Sequence, residues 1–154
     1  MYIQNVGYHD ILEGTHRHTE DDILIQILDP YMEFPTPKYK FKEIHQFTFS
    51  DVPYGSIDEV PEKYRQMWEN RITEKQAHDI VTIIKESHKK GLNIIVQCFA
   101  GSCRSGAVVE VAIMCGYTDL KEYRKPNAYV EQMLIFAILE DFNDDAKKRY
   151  QTKC

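Results

Sequence analysis

The chain has no surplus of positive charge: 19 Lys and Arg stand against 24 Asp and Glu, a formal net charge of −5. That balance removes a general electrostatic hold on nucleic acid or on an anionic membrane, and neither partner is expected. No apolar run reaches the length of a bilayer span, and the opening residues, MYIQNVGYHD, lack the charged and then apolar regions of a secretory leader. A cytoplasmic, intracellular protein is therefore expected. Cysteine is scarce too. Of the four, Cys98 and Cys103 share one short loop while Cys115 and Cys154 are scattered, which is no disulfide framework. A zinc site built on Cys98 and Cys103 with His78 and His88 would lack a second closely spaced ligand pair. Internal repeats, low-complexity tracts and linkers are absent as well, and 154 residues suit one domain with a real core.

What is present is an alternation of apolar runs and helical patterns. ILIQIL, from Ile23 to Leu28, reads as a strand closed by Asp29-Pro30, and a second strand lies around Ile44 to Phe49. Between them a stretch with three prolines reads as a loop. A short helix is expected from Pro61 to Asn70. Thr73 and Gln76 fit a capping box for a longer helix that carries Ile80, Ile83, Ile84 and His88 at helical spacing and stops at Gly91. NIIVQC is apolar enough for a central strand. A helix from Arg104 to Cys115, stopped by Gly116, follows it, and a last helix starts near Asn127, an N-cap after Pro126. The reading is one domain over residues 1–154, with a core from about 23 to 140 and a charged tail from 143 to 154, expected to be frayed or disordered. The fold expected is three-layer α/β, a central and mainly parallel sheet flanked by helices.

The chemistry concentrates in CFAGSCRS. A strand that feeds a small-residue loop and then a helix N-terminus makes an anion site, because backbone N–H groups converge there and the helix dipole adds partial positive charge. Cys98 opens this loop and Arg104 closes it, a placement that favours thiolate over thiol. Thiolate, amide cradle and guanidinium fork are the parts required to attack a phosphate monoester. Phe99, Ala100, Gly101, Ser102, Cys103 and Arg104 would hold the phosphate. Gly101 lets the backbone turn close to the ligand, and the Ser105 hydroxyl can bond to the sulfur when it leaves.

Cys98, five residues, then Arg104-Ser105, with Ala100-Gly101 inside and a strand and helix on either side, resembles the signature of the cysteine-dependent protein tyrosine phosphatases, most nearly their dual-specificity branch. FTFSD is similar to the segment that carries their general acid, and YRKPNAYV to the Arg-x-Pro-Asn segment that opens their following helix. The resemblance runs from about Ile23 to Leu139. Cys-Arg-Ser also resembles the low-molecular-weight phosphatases, but those carry the motif on their first strand. The resemblance implies hydrolysis of phosphate monoesters through a phospho-cysteine, without metal or cofactor, since arginine and amides stabilise the charge. It implies a phosphorylated protein or a small phosphate ester as partner. It also implies Asp51 as general acid, with Asp58, further into the same loop, as the other candidate.

One departure matters: the family most often has histidine before the nucleophile, and here Gln97 stands there. A glutamine bonds without charge, so either activity survives or the domain binds phosphate as a pseudophosphatase; retention of nucleophile, arginine and hydroxyl favours activity. Phosphatases of inositol phosphates or RNA 5′ ends, and an arsenate-reducing enzyme using Cys98 and Cys103, are the remaining alternatives. Cys103 can form a protective disulfide with Cys98 or simply be a small side chain packed on the helix. His16 and His18 read as surface loop residues rather than a metal pair, and His45 as structural. Tyr64, Met67 and Trp68 read as a packing cluster. Arg124 and Lys125 either flank the mouth of the site or cap a solvated helix end.

Overall fold

The computed structural model describes residues 1–151. Five strands form one sheet: β1 (Tyr2–Val6), β2 (Ile23–Leu28), β3 (Glu43–Thr48), β4 (Ile94–Gln97) and β5 (Thr118–Asp119), in the order β3-β2-β4-β1-β5. Every pairing is parallel. β2 and β4 are buried along their whole lengths, as strands covered on both faces must be. β3 is the edge strand, and its side chains are exposed or half-buried.

Side-chain alternation divides the core in two. Ile23, Ile25 and Ile27 of β2, with Ile94 and Val96 of β4, face the larger cluster. Three helices cover that face: α3 (Glu74–Lys89), α4 (Arg104–Met114) and α5 (Ala128–Gln151). Leu24 and Ile95 point the other way, against Val6, Phe41 and Ile11 of α1 (Tyr8–Glu13). This is the three-layer α/β architecture expected. α2 (Arg65–Glu69) continues a 3-10 turn over Glu62–Tyr64, where a short helix was expected.

The helix boundaries follow local chemistry. Thr73 Oγ1 accepts from the Gln76 N–H at 3.1 Å, and Gln76 Oε1 accepts from the Thr73 N–H at 3.0 Å, so the capping box opens α3 as expected. Gly91 (φ 71°) ends the turn after it. Asn127 Oδ1 accepts from the Val130 N–H at 3.0 Å and opens α5.

Several elements differ from expectation, α1 and β5 among them, where neither helix nor strand was expected. β1 lies between β4 and β5, yet no strand was read there. Its middle residues are polar, and their amides are consumed by tertiary bonds: the Arg17 N–H donates to Gln4 Oε1, and Asn5 Nδ2 donates to the carbonyls of Gly101 and Tyr123. Polarity spent on bracing the fold hid a buried strand. The charged tail, expected frayed, is helical as far as Gln151. Neither Gly nor Pro interrupts residues 128–151, and Asp144 and Asp145 precede Lys148 and Arg149 by the four-residue spacing that favours helix. Cys154 lies outside the described residues. No helix among those described is long and apolar enough to cross a membrane.

Candidate active site

The loop from Cys98 to Cys103 joins β4 to α4 at the carboxyl edge of the sheet. Its carbonyls are taken from outside. The Phe99 carbonyl accepts from the Tyr8 N–H (3.0 Å), Gly101 from Asn5 Nδ2 (2.7 Å), Ser102 from the Lys125 N–H (3.1 Å), and Cys103 from the Asn127 N–H (3.0 Å). In a trans peptide the N–H points opposite to the carbonyl it shares a plane with. The amides of Ala100, Ser102, Cys103 and Arg104 therefore face the opposite side from these four acceptors. The Gly101 N–H reaches Cys98 Sγ at 3.2 Å, and Ser105 Oγ lies 3.1 Å from the same sulfur. Cys98 is 1% exposed, and Ser105 sits buried in the first turn of α4.

Gly101 makes this turn feasible. Its φ is +80°, and a Cβ there would fall 2.5 Å from the Gly7 nitrogen and 2.6 Å from the Val6 carbonyl carbon. Left-handed backbone alone costs a non-glycine residue about 1–2 kcal/mol, and β1 cannot retreat without leaving its pairing with β4. Gly101→Ala is accordingly expected to lower the unfolding midpoint by several degrees and to cut oxyanion affinity sharply. Thermal unfolding with and without inorganic phosphate measures both, and a variant that melts and binds like the native chain would refute the account.

Arg104 is 4% exposed and reaches the ends of β2 and β3. Its Nη1 donates to the Phe49 carbonyl at 2.8 Å and lies 3.3 Å from Asp29 Oδ2. Its Nε is buried and finds no partner among the described residues. In the sequence Asp29 marks only the end of a strand, and the signal for more is a carboxylate closing a fully buried strand. Asp51, half-buried, accepts from Asn127 Nδ2 at 2.6 Å. Since the Asn127 N–H also holds the Cys103 carbonyl, one residue ties the Asp51 segment to the loop of Cys98. Asp51 lines a cavity of about 210 Å³ with Val52, Pro53, Tyr54, Tyr64 and Met67. Asp58 is exposed on a 3-10 turn, its N–H bonded to Ser56 Oγ.

Gln97 is fully buried and points away from the sulfur, to the α1 side of the sheet. The register aligns it with Gln26 of β2 and Gln46 of β3. Gln46 Nε2 donates to Gln26 Oε1 at 2.9 Å, and Gln26 Nε2 donates to Gln97 Oε1 at 3.2 Å. The residue before the nucleophile thus belongs to a ladder of amides that crosses three strands.

Other candidates are engaged elsewhere. Arg124 pairs with Glu110 at 2.7 Å and with Asp119 at 3.1 Å, so it is a clamp between α4 and β5 rather than a rim charge. Its guanidinium hydrogen bonds hold the Asp119 carboxyl down to about 2. Tyr64 and Met67 face the cavity beside Asp51, whereas Trp68 lies at a tilt to Tyr129 and beneath Arg71. His78 bonds to Glu140, His88 meets the Tyr117 ring, and His45 pairs with Glu43 on the edge strand. His16 and His18 pack with Tyr39 and Phe41. Cys98, Cys103 and Cys115 are free thiols, and Cys103 Sγ lies 3.6 Å from Ser102 Oγ.

No family model and no curated protein matches the sequence. Eight chains of known structure match it. Among them is the human tyrosine phosphatase-like serine/threonine/tyrosine-interacting protein, with a TM-score of 0.54 and 17% sequence identity, over 91% of this chain and 93% of that one. At that identity the likeness is one of architecture, and the chain has a tyrosine-phosphatase-like α/β fold.

Proposed function

We propose that this chain is a metal-independent phosphatase that hydrolyses phosphate monoesters through a phospho-cysteine, acting on phosphorylated protein. The observation that carries the reading is the buried, unpartnered Nε of Arg104 at the end of a loop that opens with Cys98. A buried donor left unsatisfied costs free energy, and an oxyanion in the cradle would satisfy it. In the first step Cys98 Sγ attacks phosphorus, the ester P–O bond breaks, and Asp51 gives its proton to the leaving oxygen. In the second step water attacks phosphorus, Asp51 takes a proton, and the S–P bond breaks while the Ser105 hydroxyl bonds to the departing sulfur. Arg104 and the loop amides hold the equatorial oxygens in both. The human neighbour is described as phosphatase-like and interacting. In this chain, nucleophile, arginine and hydroxyl occur together, which supports turnover rather than binding alone.

The test is release of p-nitrophenol from p-nitrophenyl phosphate in reductant and EDTA. Steady turnover is expected, and a folded chain that releases none would overturn the reading. The role of Asp51 has its own signature. General acids contribute about 10²–10⁴-fold, and most where the leaving group is a strong base. Asp51→Asn should therefore slow phosphotyrosine hydrolysis by roughly 10²-fold or more and p-nitrophenyl phosphate hydrolysis much less. The same pattern in Asp58→Asn, with Asp51→Asn unaffected, would transfer the role to Asp58.

A further inference from the structure

The two-step reaction leaves the buried carboxylate beside Arg104 without a part. Asp29 directly follows β2, is 8% exposed, and places Oδ2 3.3 Å from Arg104 Nη1. The same Nη1 donates to the Phe49 carbonyl, just beyond β3, at 2.8 Å. One nitrogen of the guanidinium is therefore held by the ends of two adjacent strands. Asp29 is itself well fixed: its carbonyl accepts from the Met32 N–H at 3.0 Å, and Pro30 restricts the residue before it to extended backbone.

A guanidinium is planar and takes a phosphate along one edge, through two parallel N–H bonds. Nη1 lies on the side of Cδ, so bonds at Nη1 leave the opposite edge, made by Nε and Nη2, for a ligand. Nε is the buried atom without a partner. The guanidinium also needs a counter-charge of its own. A buried guanidinium without compensation is costly and would turn toward water if it could. Asp29 compensates it before any substrate arrives, so the fork is already held at Nη1 when phosphate enters, and binding need not order it.

We propose that Asp29 is a positioning residue that fixes the guanidinium plane of Arg104, so that its Nε–Nη2 edge faces the phosphate. This rests on the phosphatase reading of the same site. The role is one of geometry, acting through Arg104, and it opposes the simplest electrostatic expectation. A negative charge beside the cradle ought to repel phosphate, so removing it ought to tighten binding. Positioning requires the reverse.

The experiment compares the native chain with Asp29→Asn, Asp29→Ala and Arg104→Lys, and with Asp29→Ala in the Arg104→Lys background. Inorganic phosphate affinity is measured by calorimetry, and kcat and KM with p-nitrophenyl phosphate. Displacing a catalytic group by about an ångström costs on the order of 10²-fold. Asp29→Ala should lose roughly 10–100-fold in kcat/KM, and Asp29→Asn, which keeps an oxygen acceptor, clearly less. In the Arg104→Lys background the alanine change should add little, since residues that act through one contact are non-additive; a merely structural role would give additive losses. Should Asp29→Ala fail to fold, Asp29→Asn carries the test with a phosphate affinity below native. Tighter phosphate binding in Asp29→Asn, or unchanged binding and turnover in both folded variants, overturns the positioning role while native turnover leaves the phosphatase reading standing. A native chain that neither binds phosphate nor turns over removes both.

Discussion

Cys98→Ser is expected to abolish turnover of p-nitrophenyl phosphate, a loss of about 10⁴-fold or more, as when a covalent nucleophile is removed elsewhere. The substitution exchanges sulfur for oxygen in a fully enclosed position, so packing hardly changes. The Gly101 N–H and the Ser105 hydroxyl that face the sulfur can face an oxygen instead. What is lost is nucleophilicity, because a serine hydroxyl needs a neighbouring base to be activated. The expected variant therefore melts close to the native chain and still binds inorganic phosphate. Parallel rates, calorimetry and acid-quenched phosphoenzyme measurements separate the possibilities. Residual turnover near the native rate in Cys98→Ser would mean that another group attacks phosphorus.

Arg104→Lys is the second large effect, expected to lower kcat/KM by roughly 10²–10³-fold, the scale for removing a preorganised donor to a developing oxyanion. Charge is conserved, so the variant tests geometry. Arg104 uses Nη1 on the Phe49 carbonyl and Asp29 while Nε remains for the ligand. Lysine brings one ammonium on a flexible stem, which can stay with Asp29 or follow the phosphate but cannot span both. The loss should appear in phosphate affinity as well as in kcat. A lysine variant that retains native kcat/KM would show that a point charge suffices.

Much of this site is local, and local features were legible. Cys98, Gly101, Arg104 and Ser105 lie within one strand–loop–helix unit, where spacing alone dictates proximity. The α3 capping box and the Asn127 cap were equally readable, because a cap bonds to backbone only three residues away. β1 was not, since Gln4 and Asn5 interrupt the apolar pattern for the sake of partners far along the chain. Gln97 illustrates the limit differently. Its identity was plain and its departure from the family pattern was plain, but its direction was not. Only pairing in register with Gln26 and Gln46 shows that it serves the sheet rather than the sulfur.

By itself, then, the sequence determined β2, β3 and β4, the helices α3, α4 and α5, and the stops and caps that bound them. Each of these depends on residues within a few positions of one another, where backbone geometry leaves little choice. The tertiary structure alone decided which carboxylate holds Arg104, which asparagine ties Asp51 to the loop, and which strand braces Gly101. Those contacts join residues separated by 76 positions for Asp51 and Asn127 and by 96 for Asn5 and Gly101. At such separations no local periodicity links the partners, and they meet only because the parallel sheet brings the carboxyl ends of its strands to one edge.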